Sequence, residues 1–161
     1  MKKYWLMKCE PSAYSIGDLE RDGTTTWEGV RNYQARNFMR EMTLGDGVLF
    51  YASNADPSGV TGLAEVSRAA YPDKFALQKG HKYYDPKSTP DDTIWSLVEI
   101  RFVAKFPSIV SLDTLREAPG LENMVVIRKG SRLSIQPVTP SEYEIVKKLG
   151  KGHKAESKKQ K

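Results

Sequence analysis

Ile94-Trp95-Ser96-Leu97-Val98-Glu99-Ile100-Arg101-Phe102-Val103-Ala104-Lys105-Phe106 carries the clearest periodicity in the chain. Ile94, Ser96, Val98, Ile100 and Phe102 fall on one side of an extended backbone, and Trp95, Leu97, Glu99 and Arg101 on the other. The segment is long for a strand, which averages about five or six residues. A strand of this length bends, so the sheet around it is expected to curl towards a barrel.

Working outward, Val48 to Ala52 is a continuous apolar run entered through Gly45-Asp46-Gly47 and reads as a buried strand. Asp56-Pro57-Ser58-Gly59 has turn chemistry, and Thr61 to Ser67 alternates as its partner. Tyr4 to Cys9 reads as a first strand closed by Glu10-Pro11; Val125 to Arg128 and Leu133 to Gln136 are the last candidates. Between them lie short helices. Ser15 caps one that Gly23 ends, and Asn32 caps another whose apolar stripe is Ala35, Phe38, Met39 and Met42. Ser111 to Leu115 starts a third. Thr139-Pro140-Ser141-Glu142 is a capping box, with Gly150 as the expected stop. Pro72 to Asp92 reads as an irregular loop, long enough to be functional. The strands do not alternate regularly with helices, so the expected class is α+β: a mostly antiparallel sheet curled into a partial barrel with short flanking helices.

The chain has 161 residues, 39% of them hydrophobic, which suits one domain, expected at residues 1–150. One cysteine, Cys9, rules out an internal disulfide and suits a reducing compartment; no apolar run is long enough to span a membrane. A cytoplasmic monomer is expected. The net charge is +5, but Lys147 to Lys161 holds seven lysines against one acid, Glu156, leaving the body close to neutral. Residues 151–161 read as a disordered basic tail.

No Walker or dinucleotide loop, metal-ligand cluster or Gly-x-Ser-x-Gly elbow is present, and neither a metal nor a cofactor is expected. Aromatic, Arg and amide residues concentrate instead in irregular segments. Trp27-Glu28-Gly29-Val30-Arg31-Asn32-Tyr33-Gln34-Ala35-Arg36-Asn37 is the densest. Flat faces, forked guanidinium groups and paired amides are the parts from which base recognition is built. The same block reads equally as a core Trp, a capping Asn and a solvated arginine face. Ser53-Asn54 is either a polar rim or a hairpin turn, and Tyr83-Tyr84-Asp85 either covers a pocket or packs on the sheet. Lys129-Gly130-Ser131-Arg132 suits a phosphate or an ordinary basic turn.

These blocks, with Tyr4 to Pro11, Phe50-Tyr51-Ala52-Ser53-Asn54, Gly62 to Val66 and Tyr84 to Lys87, closely resemble the EVE domain family in order from Tyr4 to about Leu149. The resemblance implies a PUA-like fold, shared with the YTH and SRA domains, and a reader of modified bases. Modified cytosine in DNA is the leading ligand, with RNA a second. Carried onto this chain, it implies a base pocket of Trp27, Arg31, Asn32, Tyr33, Ser53, Asn54 and Tyr84, and phosphate contacts from Arg36, Lys129 and Arg132. One departure is Ala52, where many relatives carry His. The alternatives are a protein-interaction domain without nucleic acid, and below it an enzyme using Asp85 or Glu28 as acid or base.

Overall fold

From Ser96 onward the alternating segment forms the longest strand, which starts two residues later than expected and runs on past Phe106 to Ser111, of a computed structural model that describes residues 2–130 and 132–151. In chain order the elements are β1 (Tyr4–Cys9), α1 (Ile16–Asp22), β2 (Thr24–Trp27), α2 (Tyr33–Glu41), β3 (Gly47–Ala52), β4 (Gly59–Pro72), β5 (Ser96–Ser111), α3 (Leu112–Glu117), β6 (Ile135–Val138) and α4 (Pro140–Gly150). Short 3-10 turns lie at Lys74–Leu77 and Val125–Ile127. The strands form one six-stranded sheet in the order β2-β5-β4-β3-β1-β6. Every neighbouring pair is antiparallel except β1 with β3.

β4 and β5 bend together because their register slips at four places between Val60 and Tyr71. Each slip adds twist to the ribbon. Pro107 is accommodated where pairing skips from Lys105 to Val110, so its missing N–H breaks no ladder bond. The sheet separates two cores. Trp5, Met7, Trp27, Met39 and Phe50 lie in one, against α1 and α2. Leu6, Leu49, Leu63, Phe106 and Val146 lie in the other, with α3 and α4.

Several expectations change. The sheet is open: it curls without closing into a barrel. The expected strand at Val125 to Arg128 is instead a 3-10 turn, Val125–Ile127, with Met124 and Val126 buried, because β6 already occupies the free edge of β1. The last strand runs Ile135–Val138. Thr61 to Ser67 is the middle of a much longer strand, and Gly150 closes α4 from inside. A Cβ on Gly150 would stand 2.2 Å from the Phe106 ring, so close packing explains this glycine. The tail, from residue 152 onward, lies outside the described residues.

Asp46 pins the start of β3. Its fully buried carboxylate accepts from Lys3 N at 3.0 Å, Trp5 Nε1 at 3.0 Å, Thr43 N at 2.9 Å and Thr43 Oγ1 at 2.8 Å. Burial pushes its pKa up, but these donors outweigh burial and hold it below the ordinary carboxylate value. The ionised form is therefore favoured in the folded chain. Asp46→Asn is expected to cost about 2 kcal/mol at neutral pH, as for loss of hydrogen bonds to a charged group. The folded pKa lies below the unfolded one, so the stabilisation is present above about pH 4 and is lost as pH falls through the folded value. Urea unfolding of the two proteins from pH 7 to pH 3 should show the gap narrowing.

Candidate binding site at the open seam

Because the sheet curls without closing, its edges meet across a gap. β2 brings Thr25, Thr26 and Trp27 from one edge; β1 brings Lys8 and Cys9, and the residue ahead of β6, Ser134, completes the other side. A cavity of about 370 Å³ occupies the gap. Tyr14, just before α1, lines it too, and Lys82 and Tyr83 reach it from the long 73–95 segment.

That segment is a strap fastened by one buried carboxylate. Asp73 accepts from Gly29 N at 3.0 Å, Arg31 Nη1 at 3.1 Å and Phe75 N at 2.9 Å. Arg31 also donates to Tyr83 O at 2.6 Å and Val30 O at 2.9 Å. Its guanidinium lies 5.5 Å from the Tyr83 ring centre and 5.4 Å from that of Trp95. Trp95 Nε1 in turn donates to Asp85. Gly29 has φ of 82°, and a Cβ there would sit 2.3 Å from the Tyr83 ring, so glycine is required on both counts.

The walls carry the cations Lys8, Arg31 and Lys82 and the acid Glu28 among neutral groups. Burial, then the charge of Glu10, pushes the Cys9 thiol up; burial and a hydrogen bond to Asp22 do the same for Tyr14. Lys8 is drawn down by burial. Among the described residues no group of three or more His, Cys, Asp or Glu is placed to hold a metal. No helix among them is long and apolar enough to cross a membrane.

The structure brings only part of the expected base pocket to this cavity. Trp27 and Arg31 line it. Trp27 is 9% exposed and packs edge-on against Phe50, so it is as much core as wall. Asn32 is the α2 cap, accepting from Ala35 N at 2.9 Å. Tyr33 sits outside, 56% exposed, its ring 4.9 Å from that of Trp95. Ser53 and Asn54 stand past the end of β3. Ser53 N donates to Cys9 O, and Asn54, at φ of 50°, donates to Glu10. Tyr83, rather than Tyr84, is the strap tyrosine at the cavity. Arg36 is held by Ile94 O at 3.0 Å and by Asn37. Lys129 and Arg132 are exposed, five and two residues ahead of Ser134. Ala52 is buried beside Cys9 in the β1–β3 register. Asp85 serves Trp95 and Lys87 N, and Glu28 accepts from the Thr26 hydroxyl. β2, Thr25 and Thr26 had no signal in the sequence, since a four-residue polar strand has no resolvable period.

The EVE domain model matches residues 3–149. The chain belongs to the EVE domain family. Among relatives of this EVE domain, human thymocyte nuclear protein 1 is 40% identical over 168 residues, covering 92% of this chain and 74% of the human protein. A hypothetical protein from Leishmania major superposes with a TM-score of 0.89 at 44% identity, covering 96% of this chain and 98% of that one. Human THYN1 protein in complex with 5-methylcytosine-containing DNA superposes with a TM-score of 0.84 at 40% identity, covering 92% and 98%.

The Asp73 latch makes the cavity wall part of the stability of this EVE domain. Asp73→Ala leaves Arg31 facing an empty buried site and is expected to cost about 3 kcal/mol, as for a broken buried pair. The urea midpoint should fall while the denaturant slope is kept.

Proposed function

We propose that this EVE domain is a reader of a modified nucleobase, with 5-methylcytosine in DNA as its ligand. The observation that carries the proposal is the seam cavity: concave, about 370 Å³, with an aromatic strap beside it, in a chain that superposes on a human relative solved with 5-methylcytosine-containing DNA. A cavity of this size suits a ligand as small as one base. A duplex base reaches such a cavity only when flipped out, which costs a few kcal/mol. Stacking on an aromatic face returns roughly 1–3 kcal/mol, and burial of a methyl group about one more. These terms nearly cancel, so phosphate contacts supply much of the affinity.

Tyr83 is the stacking candidate of choice, since its ring lies on the strap and not in the main core. Trp27 forms the wall behind. Lys82, which lines the cavity from the strap, and Arg132, two residues ahead of Ser134, are the cations assigned to the flanking phosphates in this reading. Binding rather than catalysis is the reading the residues support best, because Asp85 and Glu28 are both engaged structurally.

Fluorescence titration with matched oligonucleotides, carrying 5-methylcytosine or cytosine at one position, tests this. The methylated duplex should bind more tightly, and Tyr83→Leu should weaken it by about tenfold, the loss of roughly one stacking contact. Lys82→Ala should reduce the slope of log affinity against log salt by about one while leaving the base preference intact. Equal affinity for both duplexes, untouched by Tyr83→Leu, would exclude the reader function.

A further inference from the structure

We infer that the ligand base is read by the main chain of Thr26, at the unpaired edge of β2. The inference rests on the proposed reader function and assigns the polar contacts within it.

Among the described residues β2 pairs on one side only, with β5. Phe102 N donates to Gly23 O at 2.8 Å, and the register runs unbroken from there to Trp27 opposite Val98. In an antiparallel pair, hydrogen-bonded residues alternate. Gly23, Thr25 and Trp27 therefore turn their peptide groups to β5, while Thr24 and Thr26 turn theirs to the free edge. Thr26 lines the cavity and Thr24 does not.

The side chain of Thr26 does not compete for this role. Trp27 is packed into the core, so its neighbour Thr26 points its side chain to the other face, where its hydroxyl donates to Glu28. What Thr26 turns towards the seam is its N–H and C=O. The carbonyl has one weak local donor, Thr25 Oγ1 at 3.5 Å. One donor and one acceptor from a single residue match a base edge with an acceptor beside a donor, as cytosine has in N3 and its N4 amine. Thymine carries the same methyl group but reverses that order, O4 accepting and N3–H donating. A ring seated by its methyl group and sugar satisfies Thr26 in one order only. Discrimination between 5-methylcytosine and thymine thus needs no charged side chain.

The test is amide hydrogen exchange by NMR on the full-length, 15N-labelled chain, with and without saturating 5-methylcytosine duplex. Exchange at Thr26 should slow by about tenfold or more, the protection one added hydrogen bond confers. Thr24 serves as the internal control and should not change. An oligonucleotide with thymine at the same position should bind about tenfold more weakly or worse. In parallel, Thr26→Pro removes the N–H at an edge position where no ladder bond is lost. A folded Thr26→Pro protein should lose the preference for 5-methylcytosine. Unchanged exchange at Thr26 under saturation would overturn the inference while leaving the reader function standing. Failure of every duplex to bind would overturn the reader function and this inference with it.

Discussion

A carboxylate with no solvent contact, Asp73, sets the terms for everything around the cavity. A buried charge costs several kcal/mol unless its lone pairs are filled. Asp73 finds its donors in Gly29, Arg31 and Phe75, which belong to segments far apart in sequence. The need to satisfy one group therefore fixes the 28–31 turn against the strap. It also decides the identity of Gly29, which must admit both a left-handed backbone and the face of Tyr83. Arg31, braced between Asp73, Tyr83 and the Trp95 ring, is the cross-member of this frame. A wall held so firmly loses little freedom when a ligand arrives, which lowers the entropic cost of binding.

The sheet supplies the other half of the site. Slips between β4 and β5 bend the ribbon, and the bend brings β2 round towards β1 and β6. The polar rim of the gap then comes from strand ends, where side chains and main-chain groups are both accessible. Arg36 and Arg40 act from α2 on the segment just ahead of β5 through Ile94 O, so they hold the frame from behind.

Much of this was legible from sequence where a residue's job is local. The caps at Ser15, Asn32 and Thr139 are where their motifs put them, because a cap is decided within four residues. The β5 segment announced a long bent strand through its alternation alone. What could not be read was long-range. Arg31 and Arg36 look alike in the sequence, yet one meets a carboxylate 42 residues away and the other a carbonyl 58 away. Tyr83 and Tyr84 are adjacent and of one type; only the path of the strap decides which faces the cavity. β2 escaped notice because its existence depends on β5, not on its own composition.

The opening exists where strand pairing stops, not where residues have been scooped from a core. Its size therefore answers to backbone path more than to side-chain volume. Peptide groups left at such an edge are hydrated in the free protein, since a polar group needs a partner of some kind. A ligand entering the seam competes with solvent for those groups and displaces no part of the protein. Its success is a matter of exchange: water that bonds well in any orientation gives way only to a ring whose donors and acceptors fall in the right places. A sheet that curls without closing keeps at its open edge peptide groups that a closed cylinder would spend on itself.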